Sequence, residues 1–270
     1  GPPGGGGAPP GYPQGGQGGP PPAYRGSRPT FSPGDAISFA WERVKADPGT
    51  ILATIIVGII LSSIIAFIVS FGANLVIGLA GAATNAAVGA ARRHAAPPGI
   101  DFLTPVYIGA MGVVQLINLV VSSFFTAGIM SFSLKVARGA PYSFGDLFGG
   151  APYFLSVLVA NILTAIGVGI GMVFLIVPGV ILALGLSMTI PLIVDRGLGP
   201  IDALSESWKL TDGNKANIFI FGLIAFGLVI AGACACGVGL LLVAPLLFVA
   251  HLYIYLRLSG QPVAAVARAA

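Results

Sequence analysis

The chain has 270 residues; Asp, Glu, Lys and Arg make up 8% of them, and the formal net charge is +4. A soluble globular domain carries about a quarter of its residues as charged side chains, so this composition excludes an ordinary water-soluble protein. Two cysteines exclude a disulfide scaffold, and 13 scattered basic residues do not form the dense basic surface that nucleic-acid binding requires. The composition therefore indicates an integral membrane protein.

The N-terminal segment is dominated by glycine and proline, without a fixed repeat of three residues. Such a sequence buries too little apolar surface to offset the entropy of the chain. We therefore predict that residues 1–30 form a disordered cytoplasmic tail and that a second, short cytoplasmic tail covers 259–270. A polyproline II docking strand around Pro20-Pro21-Pro22 is the functional alternative for the first tail.

A short amphipathic helix is predicted directly after the tail. Ser32 suits the N-cap and Pro33 the first helical position. Ile37, Trp41 and Val44 share one helical face. About three turns of this kind are too short and too charged to cross a membrane. The helix is therefore expected to lie on the cytoplasmic membrane surface, with Trp41 at headgroup depth.

The rest of the chain holds four long runs without Asp, Glu, Lys or Arg, and these are 50–91, 102–134, 147–194 and 216–256. About 20 apolar residues cross the ~30 Å hydrocarbon layer as a helix, because backbone groups in lipid must bond within their own segment. The third and fourth runs are each long enough for two spans. Pro178 and Gly179 are predicted to break the third run, and the small residues of 232–239 are predicted to break the fourth.

The first run fits either one span, 50–71, followed by a segment of small residues, or two complete spans. The positive-inside rule favours the first interpretation. With six spans, Arg92 and Arg93 are the only basic residues on the far side, whereas seven spans divide the basic residues almost equally. The sequence therefore predicts an all-α polytopic membrane protein with six transmembrane helices and both termini in the cytoplasm.

One pattern recurs ahead of the hydrophobic runs. Residues 35–41 (DAISFAW) reappear as 202–208 (DALSESW), and residues 31–35 have a fainter echo at 142–146. We therefore predict three parallel repeats, in which a cytoplasmic interfacial helix precedes each transmembrane hairpin. The three units of the membrane domain 31–258 cover 31–134, 142–194 and 198–257.

The segment 72–101 is the only sizeable loop predicted on the far side. Ala82, Ala86 and Ala90 form a row of small residues that lets helices approach closely. We interpret the segment as a helix packed on or between the spans, or as a contact between two copies of the chain.

The C-terminal half carries a set of short motifs: VPG at 177–179, GLGP at 197–200 and ALSESWKLTDG at 203–213. The set resembles a bacterial six-span integral membrane family that includes the membrane domain attached to some glycerophosphodiester phosphodiesterases. The resemblance covers about 143–258 and implies six spans and an inner-membrane location. Because these 270 residues hold no soluble phosphodiesterase domain, that activity is not carried over.

The sequence predicts no catalytic, cofactor-binding or metal-binding constellation. A metal-dependent hydrolase needs clustered carboxylates and histidines, whereas the charge-free runs hold no carboxylate. Ser187 and His251 resemble the catalytic pair of the rhomboid proteases, but Met188 stands where those enzymes carry glycine. We therefore expect a protein that is not an enzyme.

Two sets of residues are candidates for binding. Polar side chains within the spans either line a cavity or form hydrogen bonds between helices, and the candidates for a cavity are Asn118, Asn161 and His251. The charged segment 195–215 either orients the third hairpin or binds another protein. The candidates for partner docking on the surface helices are Trp41, Arg43, Lys45, Trp208, Lys209 and Asp212.

From the sequence, the preferred function is a non-enzymatic scaffold or accessory subunit of the bacterial inner membrane that needs no cofactor. Its expected partners are the lipid bilayer and other membrane or cytoplasmic proteins, and a homo-oligomer is compatible with the rows of small residues. The alternative is a carrier or lipid-handling protein with a cavity between the repeated hairpins.

Overall fold

The computed structural model describes residues 30–91, 103–235 and 238–265 of the chain. The described part contains no strand, and its helices are α1 (Pro33–Ala46), α2 (Pro48–Ala91), α3 (Leu103–Arg138), α4 (Phe154–Phe174), α5 (Ile176–Gly185), α6 (Thr189–Arg196), α7 (Pro200–Leu210), α8 (Lys215–Cys234) and α9 (Val238–Leu258). Two short 3-10 helices, Phe144–Phe148 and Ala151–Tyr153, precede α4. The predicted N-terminal tail up to residue 29, residues 92–101 of the predicted far-side loop, and 266–270 all lie outside the described residues. Residues 72–91 of that loop continue α2, so this helix extends beyond the predicted first span 50–71.

Within the described ranges, six helical segments are long and apolar enough to cross a membrane, so the protein is an all-α, multi-pass membrane protein. Consecutive spans pack as three hairpins, α2 with α3, α4 with α5 and α8 with α9. The reversal between α8 and α9 falls within the predicted segment 232–239. The six spans are Pro48–Leu79, Ile108–Arg138, Phe144–Phe174, Ile176–Arg196, Lys215–Cys234 and Val238–Leu258.

The hairpin turn of the third charge-free run lies slightly earlier than predicted. The chain reverses at Leu175, whose backbone is extended, and Pro178 and Gly179 belong to the first turn of α5. Proline is tolerated there because the first N–H groups of a helix have no intrahelical acceptor. Gly179 packs directly against Met172 of α4, and a Cβ on it would lie 2.6 Å from that side chain. The glycine therefore allows α4 and α5 to approach closely rather than forming the turn.

Every charged side chain of the described residues lies at one end of the helix bundle, which we call the charged face. Helices α1 and α7 lie there, together with the start of α8 and the ends of α3, α6 and α9. Ion pairs connect different elements on this face, with Lys135 Nζ 2.7 Å from Asp146 Oδ1 and Arg196 Nη1 3.7 Å from Glu206 Oε1. The membrane-spanning helices are thus free of charge away from this face.

Helix α1 packs against α9 through a face that differs from the predicted one. Phe39 and Ala40 are buried, and the Phe39 ring centroid lies 4.7 Å from that of Tyr253. Val44 is buried as well, but Trp41 remains 41% exposed. The buried face of α1 is therefore that of Phe39, Ala40 and Val44, and Trp41 faces outward.

The middle unit has 3-10 helices where the first and third units have an α-helix. Its 144–153 segment is pressed against α3, and two glycines make the close approach possible. A Cβ on Gly128 would lie 1.7 Å from the carbonyl oxygen of Leu147, and one on Gly150 would lie 2.3 Å from the backbone of Ala127. The segment therefore lies directly on the backbone of α3.

Helices α2 and α3 form an arm that projects past the other hairpins. Met130 of α3 and His251 of α9 line one cavity and therefore lie at about the same level. Both helices run toward the charged face with a rise of 1.5 Å per residue, so the start of α9, 13 residues before His251, lies level with about residue 118 of α3. Asn118 Nδ2 donates to Ser70 Oγ at 3.0 Å at this level. Beyond it α2 continues to Ala91, a further ~30 Å. The side chains of the Ala82, Ala86 and Ala90 row lie outside the described residues.

Candidate ligand site at a broken membrane helix

One span of the protein is interrupted near its middle. The segment Ile176–Arg196 consists of α5 and α6, which are separated by a turn at 186–188. Irregular backbone at membrane depth is tolerated only where it is buried in protein or lines a cavity, because lipid offers no hydrogen-bond partners. The polar groups of this turn therefore need partners within the protein.

Two hydroxyl groups from α7 and its C-cap supply these partners at the end of α5. Ser207 Oγ donates to the carbonyl oxygen of Gly185 at 2.8 Å and accepts from the N–H of Met188 at 3.1 Å. Thr211 Oγ1 lies 3.1 Å from the same carbonyl oxygen. Ser207 and Thr211 are fully buried. Helix α7 therefore replaces hydrogen bonds that the break removes from the span.

Gly185 is the point at which α7 touches the broken span most closely. A Cβ on Gly185 would lie 2.2 Å from the ring of Trp208, so only glycine fits without displacing the indole. The indole also contacts a cation, since Lys215 Nζ lies 4.4 Å from the ring centroid. Trp208 thus links the break to the start of α8.

His251 of α9 contacts the turn from the opposite side. Its imidazole is hydrogen-bonded to the backbone of Ser187. The Ser187 hydroxyl donates to the carbonyl oxygen of Leu184 at 2.8 Å, and Thr189 Oγ1 donates to that of Leu186 at 2.7 Å. The Ser187 hydroxyl is therefore used within its own helix, and His251 contacts the main chain of the turn.

A cavity of about 500 Å³ lies beside the break, between α3, α6, α8 and α9. Its lining is apolar apart from Thr126 and His251. At one end Leu240 is 36% exposed, whereas Met130 at the other end is 4% exposed. Ile190 from the first turn of α6 also lines the cavity. The broken span therefore contributes directly to the cavity wall.

The far end of α6 is fixed by an ionic cluster on the charged face. Asp195 is almost buried, with 6% of its side chain exposed, and it pairs with Arg138 at the end of α3. Tyr255 of α9 donates its O–H to Asp195 Oδ2 at 2.5 Å, and Gln261 Nε2 donates to the same oxygen at 2.8 Å. Gln261 Oε1 also accepts from Arg138. This cluster joins the ends of three helices and the segment that follows α9.

The three candidates for cavity lining lie in three different places. Asn118 bonds Ser70 between α2 and α3, and Asn161 Nδ2 donates to Ser123 Oγ at 3.0 Å between α4 and α3. His251 alone of the three lines the cavity beside the break. The first two amides therefore connect neighbouring helices.

The docking candidates on α1 are unequally accessible. Arg43 Nη2 donates to the carbonyl oxygen of Val136 at 3.0 Å and so ties α1 to α3. Trp41 and Lys45 face outward, with Lys45 Nζ 5.8 Å from the indole centroid. Lys45 also pairs with Glu42 at 2.6 Å.

The docking candidates on and after α7 are also divided between a residue packed within the protein and residues that face outward. Trp208 packs on Gly185, as described above. Lys209 is largely exposed, with its Nζ 3.8 Å from Glu206 Oε2, and Asp212 Oδ1 lies 3.7 Å from Lys215 Nζ. Within the described part of the chain, no three His, Cys, Asp or Glu side chains come together in a way that could hold a metal ion.

Several residues of this site give no distinctive signal in the sequence. The turn at 186–188 contains neither proline nor glycine and lies in an uninterrupted charge-free run. Ser207 resembles a solvent-facing residue of a surface helix. The one detectable signal is Gly185, since an isolated glycine within a helical pattern often marks a close approach of other atoms.

The sequence of this chain is similar to those of mycobacterial proteins. It is 29% identical over 242 residues to an uncharacterized protein of Mycobacterium tuberculosis, covering 89% of this chain and 72% of that one. A protein of Mycobacterium bovis, also described as uncharacterized, matches to the same extent. No family model matches the chain, and no solved structure matches it.

Proposed function

We propose that this protein is a lipid-handling membrane protein or carrier that holds an apolar ligand in the cavity beside the broken span. The observation that carries the proposal is the cavity itself, which combines an apolar lining with an interrupted helix in its wall. In membrane carriers, binding sites are found at broken helices, where irregular backbone is tolerated because it lines a cavity or is buried in protein. Here those groups are satisfied by α7 and α9, which leaves the cavity itself apolar.

Ion-coupled transport receives less support from the same geometry. Ionisable groups within spans are costly and are retained for function, whereas the charged residues of the described part all lie at the charged face. The ligand we propose is therefore uncharged where it enters the cavity, and its movement needs no charged residue at the centre of the membrane.

Lipid retention tests this function directly. Protein purified in mild detergent is expected to carry a stoichiometric lipid, detectable by native mass spectrometry. Ala244→Phe fills the cavity from within α9, and the lipid should be lost. Leu241→Phe places the same aromatic ring on the lipid-facing side of the same helix, where Leu241 is 47% exposed, and should retain it. Equal retention by both variants contradicts the proposal.

A scaffold or accessory role is the second candidate, and the projecting arm of α2 and α3 favours it. The arm is apolar and exposed, with Phe71 at 59% and Leu79 at 63%. Exposed apolar surface of this extent is typical of interaction sites or of lipid contact. Photo-crosslinking from residue analogues at positions 71 and 79 in native membranes should capture a specific protein if the arm is a scaffold surface, and lipid alone if it is not.

We further propose that the membrane is the bacterial inner membrane and that the charged face is cytoplasmic. The positive-inside rule and the resemblance to the six-span family support this orientation, as does the parallel arrangement of the three predicted repeats. Cysteines introduced at positions 41 and 209 should resist a membrane-impermeant reagent applied outside intact cells, whereas a cysteine at position 92 should react. The reverse pattern contradicts the orientation.

A further inference from the structure

The cavity is open at one end and closed at the other. Val229 and Leu240, at the end away from the charged face, are 40% and 36% exposed on the lipid-facing surface. At the opposite end Phe221 and Met130 are buried, whereas Ile190 of α6 and His251 of α9 beside them are partly exposed. Below Ile190, the Asp195 cluster joins α6 to α3 and α9. Access from the charged face is therefore blocked, and access from the bilayer is through the exposed end.

The length of the cavity corresponds to one leaflet. Leu240 and His251 lie eleven residues apart on α9, which corresponds to about 16 Å along the helix. The hydrocarbon layer is about 30 Å thick, so the cavity extends from the end of α9 away from the charged face to about the middle of the membrane. A ligand that fills it has the length of one lipid chain and does not cross the bilayer.

The chemistry of the lining disfavours a lipid headgroup at the closed end. His251 is polar there, and one side of its imidazole is engaged by the backbone of Ser187. Thr126, one turn from Met130 on α3, is the other polar residue of the lining. A charged headgroup at this end would lose its hydration and find only the second imidazole nitrogen and one hydroxyl group as partners. The closed end therefore suits the methyl end of a hydrocarbon chain.

We propose that the cavity holds a single acyl chain of a lipid from the leaflet opposite the charged face, with its terminal carbon at Met130 and Ile190 and its headgroup beyond Leu240. The inference rests on the proposed lipid-handling function and adds the ligand's class, leaflet and direction. Lipid tails are as apolar as the lining, so the hydrophobic effect contributes little to this binding. The fit of the chain against the walls and the closed end determines it instead.

Two photoactivatable phosphatidylcholines test the direction of the chain. One carries a diazirine close to the ester of one acyl chain, and the other carries it at the terminal carbon. After reconstitution of the unmodified protein with each lipid, irradiation and peptide mass spectrometry, the terminal probe should label Met130 or Ile190. The ester-proximal probe should label Val229 or Leu240. This comparison uses the wild-type chain and does not depend on any variant folding.

The outcomes separate this inference from the function on which it rests. If the ester-proximal probe labels Met130 and the terminal probe labels Leu240, the lipid enters in the other direction; the inference fails while lipid binding stands. If neither probe labels the lining, both fail. Ala244→Phe should abolish labelling of Met130 and Ile190 by the terminal probe, whereas Leu241→Phe should leave it unchanged. Persistent labelling in Ala244→Phe overturns the placement of the chain in this cavity.

Discussion

Helices α1 and α7 have similar sequences and the same burial pattern, but they pack against different neighbours. Each begins with proline, has a fully buried alanine at its fourth position (Ala36 and Ala203), and has an exposed tryptophan at its ninth position, 41% exposed for Trp41 and 39% for Trp208. At the equivalent buried position of the next turn, α1 has Ala40 and α7 has Ser207.

The difference at this position follows from the neighbouring span. Helix α1 packs mainly against α9, which continues as one helix from Val238 to Leu258 despite Pro245, so the small apolar Ala40 is sufficient. Helix α7 lies against the break between α5 and α6, and Ser207 supplies both a donor and an acceptor there. The comparison shows that one kind of surface helix can either pack on a span or supply the hydrogen bonds that a broken span lacks. One buried hydroxyl group distinguishes the two roles.

The largest predicted effect is at the contact between α7 and the break. Gly185→Val places a side chain within the ring of Trp208 and should cost about 3 kcal/mol of stability, at the upper end for overpacking. Gly222→Val is the matched control, because a Cβ on Gly222 meets nothing within 4 Å. Thermal unfolding in detergent measures both variants. Equal melting temperatures for the two would show that α7 does not pack on the break.

The next largest effect is a difference in stability between exchanges at the equivalent buried positions of α7 and α1. Ser207→Ala leaves the buried N–H of Met188 without its acceptor and should cost about 1–2 kcal/mol. The reciprocal change, Ala40→Ser, places a hydroxyl where it can bond a carbonyl of its own helix, so a smaller loss is expected. Unfolding of the two variants measures the difference. A larger loss for Ala40→Ser would contradict the role assigned to Ser207.

The two tryptophans sharpen the comparison further. Trp208→Ala removes the cover from Gly185 and a cation contact with Lys215 at 4.4 Å, whereas Trp41→Ala removes a longer contact with Lys45 at 5.8 Å. An exposed cation–π contact contributes about 0.5–1 kcal/mol, and packing on the glycine adds to it. Trp208→Ala should therefore be the more destabilising change by about 1 kcal/mol, measured by chemical unfolding. Indistinguishable losses would remove this difference between the helices.

The smallest effect concerns pH and is confined to the end of α1. The N–H of Thr50 donates to Asp47 Oδ1 at 3.1 Å and, with the O–H of Tyr142, holds the pKa of Asp47 below its ordinary value. A carboxylate with a lowered pKa stabilises the folded state above its unfolded pKa of about 3.9, and this contribution is lost as the pH falls through the folded pKa. Melting temperature should therefore fall below about pH 4 more steeply in the wild type than in Asp47→Asn. Parallel curves of melting temperature against pH for the two proteins would contradict this role of Asp47.

The sequence predicts the spans well because their signal is repeated over many residues. Four charge-free runs give six spans among the described residues. The break at 186–188 is not predictable in the same way, because its cause lies in hydroxyl groups some twenty residues away in the chain. The Asp195 cluster is hidden for a similar reason, since Arg138, Tyr255 and Gln261 come from distant segments. Partners of this kind depend on tertiary packing.

The central claim is that a break in a membrane span, completed by α7 and His251, forms one wall of a lipid-binding cavity. An experimental density map of the protein in phosphatidylcholine nanodiscs tests it most directly. We predict an interrupted helix at 186–188 in contact with Ser207, and elongated density that runs from Leu240 to the level of His251. A continuous helix through these residues, or a cavity closed by repacked side chains, would contradict the account.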